Sequence, residues 1–378
     1  GRGHFYPCFK GTLSSVLNTA GSRSTRLTFH FVTFVFPPPS SSSEQLMMQQ
    51  QRDTPGAGIA VVVIGGANLD HKSQTFARPI LGTSNPGSSR SSVGGVGRNI
   101  AENLARMDVS VALITAVGRD AEGDRIIEAT GKTGVALGQS IRTSRPTGSY
   151  TAILSESGDL VLAVSAMESV EDLSPAAIDA ASDVISRARV VVLDCNVLPA
   201  TLLRAATIAA EHGIPIVLDP VSVPKAGRAA ALLAAGIRIH TFTPNLDELR
   251  ALTARPGATE ADTIAAAGSL NAVGVENVWV RQGADGSLLS CATGGPPRTH
   301  HIAACAATLV DATGAGDSML AGYVAALLDG HDPVTAVRRG AAAAAITIES
   351  ELTVSPAMSA QAVAARASRQ GGPNEREP

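Results

Sequence analysis

Asp311-Ala312-Thr313-Gly314-Ala315-Gly316-Asp317-Ser318-Met319-Leu320-Ala321-Gly322 is the stretch from which the rest of the chain can be read. Three small residues separate Thr313 from Asp317, and an apolar run from Met319 to Leu328 follows. That is the pattern of a loop opening a helix. Glycines at 314 and 316, with alanine between them, let backbone N–H groups crowd round an anion without side chains in the way. The helix adds the positive end of its dipole at the same place. Asp317 is then a carboxylate beside an anion-binding nest, suited to taking the proton of a hydroxyl that attacks a phosphoryl group. The alternative is a glycine-rich turn capping a helix, with Asp317 a first-turn carboxylate favoured by the dipole.

A second glycine motif lies some two hundred residues upstream: Gly94-Gly95-Val96-Gly97-Arg98-Asn99, followed by Ile100, Ala101, Leu104, Ala105 and Met107 at helical spacing. It is not a dinucleotide fingerprint, because the third glycine of that motif falls on Ile100. Gly131-Lys132-Thr133 is not a Walker loop either, since Ile126 stands where its first glycine belongs.

Before this motif, Ala60 to Ile64 reads as a buried parallel strand ending in Gly65-Gly66, with Asn68 and Asp70 beyond its carboxyl end. Residues 71 to 93 are polar, with a turn at Asn85-Pro86-Gly87. After the motif, Val109 to Val117 reads as a strand and Asp120 to Ala129 as a helix. Ser149 to Ser155 and Leu160 to Ser165 flank a turn and predict a hairpin. Strands then follow at 190–194, 216–219, 239–243 and 278–281, with alanine-rich helices at 199–211, 225–235 and 260–273 between them. Two more helices are expected at 315–329 and 334–349. The alternation predicts an α/β fold, a doubly wound and mostly parallel sheet with helices on both faces. Parts of 68–95 and 138–165 are expected to form a small β-sheet lid.

The chain has 378 residues, 44% of them hydrophobic, enough for a large core. A net charge of −3 and an aromatic content of 3% argue against a nucleic-acid or anionic-membrane surface. The cysteines at 8, 195, 291 and 305 form no metal-ligand spacing and are read as reduced thiols. Residues 1–55, with no acidic residue before Glu44, are expected to be a disordered extension or a transit peptide. Residues 56–369 are then the catalytic domain and 370–378 a frayed tail. The expected location is the cytoplasm, or an organelle if the extension is a targeting signal.

The two signatures, GGVGRNIAENLARM at 94–107 and DATGAGDSMLAGY at 311–323, together resemble those of the ribokinase-like (PfkB) carbohydrate kinases. Thr243-Pro244-Asn245-Leu246-Asp247-Glu248 is similar to that family's N-x-x-E motif. The resemblance spans residues 60 to about 357. Within the family the pseudouridine kinases look most similar, through Gly66 to Asp70, Ser84 to Gly87, Val192 to Asn196 and Val217 to Ser222. One departure is Ala166, where those kinases carry an aspartate.

The resemblance implies an enzyme that phosphorylates the 5′-hydroxyl of pseudouridine with ATP and Mg²⁺ during modified-nucleoside salvage. It makes Asp317 the catalytic base, with Gly314, Ala315 and Gly316 as the anion hole. It makes Asn68, Asp70, Gly95 and Asn99 substrate ligands, with Asp194 and Asn196 either contacting substrate or capping the next helix. It places Asn245, Gly283, Gly286 and Thr313 at the nucleotide and Glu248 at Mg²⁺, held through water. Asp311 and Thr313 match the positions where some family members bind a monovalent cation such as K⁺. Arg98 is open between a uracil carbonyl, a phosphate and a neighbouring carboxylate. A homodimer pairing lids is compatible with this reading, and a separate pseudouridine-phosphate glycosidase would act on the product. The rival readings are a ribokinase- or fructokinase-like sugar kinase and a non-catalytic relative serving as an interaction subunit.

Overall fold

Four aliphatic side chains, Val61 to Ile64, carry no exposed surface, and the main sheet is built outward from them. The computed structural model describes residues 58–255, 259–293 and 295–370. The expected N-terminal extension, and the expected C-terminal tail beyond Gln370, therefore lie outside the described residues. β1 (Val61–Ile64) pairs in parallel with β4 (Val111–Ile114) on one side and β9 (Val190–Asp194) on the other. The sheet continues through β10 (Ile216–Asp219), β11 (Ile239–Phe242) and β12 (Val275–Arg281), all parallel. It closes with antiparallel β13 (Ser287–Cys291) and β14 (Arg298–Ile302). The order is β14-β13-β12-β11-β10-β9-β1-β4.

Strand alternation sends the side chains into two cores. Val62 and Ile64 join the layer covered by α3 (Pro199–Glu211) and α5 (Glu260–Asn271). Val61 and Val63 join the opposite layer, covered by α1 (Val96–Arg106), α6 (Ala315–Leu328) and α7 (Pro333–Ile348). Of the remaining helices of eight residues or more, α2 (Ala121–Gly131) starts on the side-chain cap of Asp120. α4 (Leu246–Thr253) follows β11, and α8 (Ala360–Gln370) ends the described chain. Among the described residues no helix is long and apolar enough to cross a membrane.

A separate four-stranded sheet, ordered β3-β2-β7-β8, forms the lid. It comprises β2 (Asn68–Thr75), β3 (Gly87–Gly94), β7 (Ser149–Leu154) and β8 (Leu160–Ala166). Two short strands, β5 (Ala116–Gly118) and β6 (Ile141–Thr143), pair in parallel beside it in sequence. The single strand expected over 109–117 is thus two strands, broken at Thr115. The helix expected over 225–235 is divided by a short 3₁₀ turn at Gly227–Ala229.

Candidate functional site

Parallel strands deliver polar residues to one edge of the main sheet, at their carboxyl ends. β1 ends in Gly65-Gly66, β9 in Asp194, β10 in Asp219 and β12 in Arg281. α6 begins at the same edge on Gly314, whose φ of 81° lies in the left-handed region. A Cβ at Gly314 would stand 2.1 Å from the Thr353 carbonyl oxygen, so the loop can take this path only with glycine there. Asp311 shapes the approach: its Oδ1 accepts the Thr313 amide at 2.8 Å. Ser318 N donates to Gly314 O, closing the first intrahelical bond. The amides of Gly316 and Asp317, just before Ser318 in the first turn, have no carbonyl within the helix to bond. The Ala315 amide donates to Ala312 O at 3.2 Å and is engaged within the turn. The expected anion hole is therefore better centred on Gly316 and Asp317 than on Ala315.

Asp317 is the third residue of α6 and partly open to solvent. Its Oδ2 accepts a 2.8 Å hydrogen bond from Nδ2 of Asn99. Burial pushes its carboxyl up to about 7, Asn99 and Arg281 pull it down, and the negative charges of Asp219 and Asp194 push it up further. Asn99 sits in the first turn and a half of α1, whose N-cap is Gly95 with φ 102°. Asn99 is therefore not the helix cap, and its buried amide is aimed at Asp317. Its Oδ1 accepts from Nη1 of Arg98 at 2.8 Å.

Arg98 does not present its charge to a ligand. Its buried guanidinium pairs with buried Glu102 one turn along α1 and donates to the Val93 carbonyl at 3.1 Å. Burial lowers its pKa to about 10, opposed by the nearby carboxylates Asp70 and Asp317. Of the three partners open to it on sequence, the carboxylate is the one it meets, and its link to the site runs through Asn99.

Asp70, on β2, accepts from Nδ2 of Asn68 at 2.7 Å, and burial raises its pKa despite that bond and the charges of Lys72, Arg98 and His71. Asp194 and Asn196 are both buried and hold protein groups. Asp194 has no exposed surface, and its two oxygens accept the Gly66 and Asn196 amides, both at 2.8 Å. It pins the turn after β1, and burial lifts its pKa to about 6. Asn196 accepts from Nζ of Lys225 at 2.6 Å through its side chain.

Asn245 and Glu248 form a capping box on α4: Asn245 Oδ1 accepts the Glu248 amide at 2.9 Å, and Glu248 Oε2 accepts the Asn245 amide at 2.8 Å. Both residues therefore start the helix, while the buried carboxylate of Glu248 also faces Arg281, 3.6 Å away. Burial raises the Glu248 pKa and Arg281 opposes it. Gly283 and Gly286, with φ of 61° and 88°, turn the chain between β12 and β13 just beyond Arg281. Among the described residues no group of three or more His, Cys, Asp or Glu could hold a metal ion by itself.

Asp311 and Thr313 meet a lysine. Lys72, on the lid strand β2, donates from Nζ to Asp311 Oδ2 and Thr313 Oγ1, each at 2.9 Å. Arg90 on β3 adds a second cation 3.6 Å from the same oxygen. Burial would raise the Asp311 pKa, but the Thr313 and Lys72 contacts hold it below the usual carboxylate range. Asp311 is thus occupied by an ammonium group and does not present a free carboxylate to a monovalent cation. Lys72, Arg281 and Asp219 are site residues that the motifs did not flag. Lys72 sits two residues after Asp70 on the same face of a strand, which is the signal that could have found it.

A family model for pfkB family carbohydrate kinases matches residues 59–360. The chain is 34% identical to an uncharacterised sugar kinase of Escherichia coli over 300 residues, 79% of this chain and 81% of the relative. It is 30% identical to a pseudouridine kinase of the same organism over 305 residues, 79% of this chain and 93% of the relative. The structure of Arabidopsis thaliana ribokinase complexed with ribose and ATP superposes with a TM-score of 0.68 at 25% identity, covering 82% of this chain and 99% of that one.

Proposed function

The chain belongs to the pfkB family of carbohydrate kinases, and from that premise we propose that it transfers the γ-phosphoryl group of ATP to the 5′-hydroxyl of pseudouridine. The observation that carries the chemistry is Asp317: a carboxyl whose pKa is raised to about 7, oriented by Asn99, one residue after Gly316 in an anion-binding turn. In this reading Asp317 takes the acceptor proton, and the amides of Gly316 and Asp317 receive charge on the transferring group. Asn68, Asp70 and Asn99 hold the sugar hydroxyls, and the lid excludes water so that ATP is not hydrolysed.

Glu248 suits Mg²⁺ held through water, because its buried carboxylate meets the Asn245 amide and Arg281 through Oε2, which leaves Oε1 for a metal-bound water. Bound there, Mg²⁺ would neutralise charge on the phosphates. Asp311 Oδ2 is engaged by the Lys72 ammonium, which takes the place of a monovalent cation there. A relative named pseudouridine kinase, covered over 93% of its length, supports the acceptor. A second reading, a free-sugar kinase, is favoured by the likeness to a ribokinase holding ribose.

The lid also supports a homodimer. Leu162 and Val164 share one face of edge strand β8 and are 60% and 57% exposed, and Leu160, 59% exposed, lies past a register shift in the same strand; together they leave apolar surface that a second lid would cover. Phosphate placement tests the chemistry: pseudouridine should yield its 5′-monophosphate by phosphorus NMR, and 5′-deoxypseudouridine should be inert. A phosphate on the 2′- or 3′-oxygen would overturn it.

A further inference from the structure

Lys72 stands two residues after Asp70 on lid strand β2, and its side chain is 19% exposed. An ammonium group has three donors and no acceptor. Here Nζ lies 2.9 Å from Oδ2 of Asp311 and 2.9 Å from Oγ1 of Thr313. Oδ1 of the same carboxylate accepts the Thr313 amide at 2.8 Å. Thr313 is thus held twice through Asp311, once directly and once by way of Lys72. The next residue is Gly314, which opens α6 in the left-handed region, so the hold on Thr313 fixes how the chain enters the helix.

The place itself calls for positive charge. The amides of Val310 and Asp311 both donate to the carbonyl of Ile348, the last residue of α7, at 2.7 and 3.3 Å. α7 ends there on the negative pole of its dipole, and the Asp311 carboxylate adds to it. Arg90 is 56% exposed and lies 3.6 Å from Asp311 Oδ2 and 3.9 Å from Glu351, beyond hydrogen-bond reach of either. Lys72 is the cation that bonds Asp311 and Thr313 together. The resemblance implied K⁺ at these two residues, and the donor set does not fit it. A compact ammonium, close to K⁺ in size and charge, already lies between Oδ2 and Oγ1.

We propose that Lys72 is a positioning residue that serves in place of an activating monovalent cation, so that phosphoryl transfer by this chain is independent of K⁺. Its charge offsets Asp311 and the end of α7. Its two hydrogen bonds hold Thr313, so that the amides of Gly316 and Asp317 keep their aim. The charge is tethered to the lid, and no ion has to be drawn from solution. The proposal rests on the reading of the chain as an ATP-dependent kinase and not on the identity of the acceptor.

The test measures turnover of Mg-ATP and pseudouridine by the full chain in KCl and in tetramethylammonium chloride at equal ionic strength. Thermal unfolding of the same proteins without substrate is followed in both salts. Wild type should turn over within about twofold in the two, a free-energy difference well below that of one hydrogen bond. Lys72→Ala, which removes the charge and opens its space, should lose about 10–100-fold in kcat without K⁺, the range for a charge-assisted hydrogen bond, and K⁺ should restore most of it. Lys72→Met, which removes the charge but fills the space, should lose as much and regain little. KCl should raise the unfolding midpoint of Lys72→Ala and leave those of wild type and Lys72→Met in place. Greater activation of wild type by K⁺ would overturn the proposal, as would a Lys72→Ala enzyme fully active without it. A loss that K⁺ does not restore would assign Lys72 to lid closure or substrate binding and overturn it as well. A wild type inert toward pseudouridine would sink the acceptor reading, and the unfolding midpoints would still decide this one.

Discussion

In the proposed reaction a single carboxyl, Asp317, carries both the chemistry and a cost in stability. With its pKa raised to about 7 it is neutral in acid and ionised above neutrality, so a general-base role makes kcat/KM rise through pH 7. Asp317→Asn should lower kcat by about 10²–10⁴-fold while leaving ADP affinity within about twofold. The stability effect has the opposite sign. The folded state keeps the Asp317 proton to higher pH than the unfolded chain, so native stability falls as pH rises from about 4 to 7. Asp317→Asn should therefore be more stable than wild type at pH 8, by about 1–3 kcal/mol after allowance for partial exposure, and the gap should close toward pH 4. Urea unfolding of both proteins at the two pH values measures it. Asp317 and Asn99 were legible because each sits beside glycines in a short motif. Arg281, Asp219 and Lys72 were not, because their meeting with residues 248, 311 and 316 is made by strand order and leaves no local spacing to read.

At the scale of elements, the loop before α6 depends on Gly314. Any side chain there meets the Thr353 carbonyl and must also adopt φ near 81°. Gly314→Ala should destabilise the protein by about 1–3 kcal/mol and lower kcat more than it raises the KM for ATP, because the displaced turn carries Asp317 with it. The buried strands β1, β9 and β10 and helices α3, α6 and α7 were readable, since unbroken aliphatic runs and alanine-rich periodic segments mark them. The lid strands β2 and β3 were legible only as a lid from parts of 68–95, without strand bounds. NLDHKSQT and GSSRSSVG show no apolar alternation, since β2 turns Asp70 and Lys72 toward the site and β3 is largely exposed. β13 and β14 escaped notice because they form an antiparallel addition outside the strand–helix alternation, and α8 lies between the helix expected at 334–349 and the tail expected at 370–378 and was not read as an element.

For the whole molecule, the lid sheet and the main sheet meet through charge as well as backbone, with Lys72 and Arg90 of the lid on Asp311 of the anion loop. The lid's edge strand carries the exposed side chains of Leu160, Leu162 and Val164, so light scattering should report a dimer that Leu162→Glu converts to monomer. A monomeric wild type would remove the dimer from this account and leave the catalytic site untouched. The acceptor is the central claim, and the direct measurement is ADP release with Mg-ATP and pseudouridine, uridine or ribose in parallel. Turnover with pseudouridine far above that with uridine and ribose is the predicted result. Ribose turned over as well as or better than pseudouridine would contradict it, and would leave a sugar kinase of the same family.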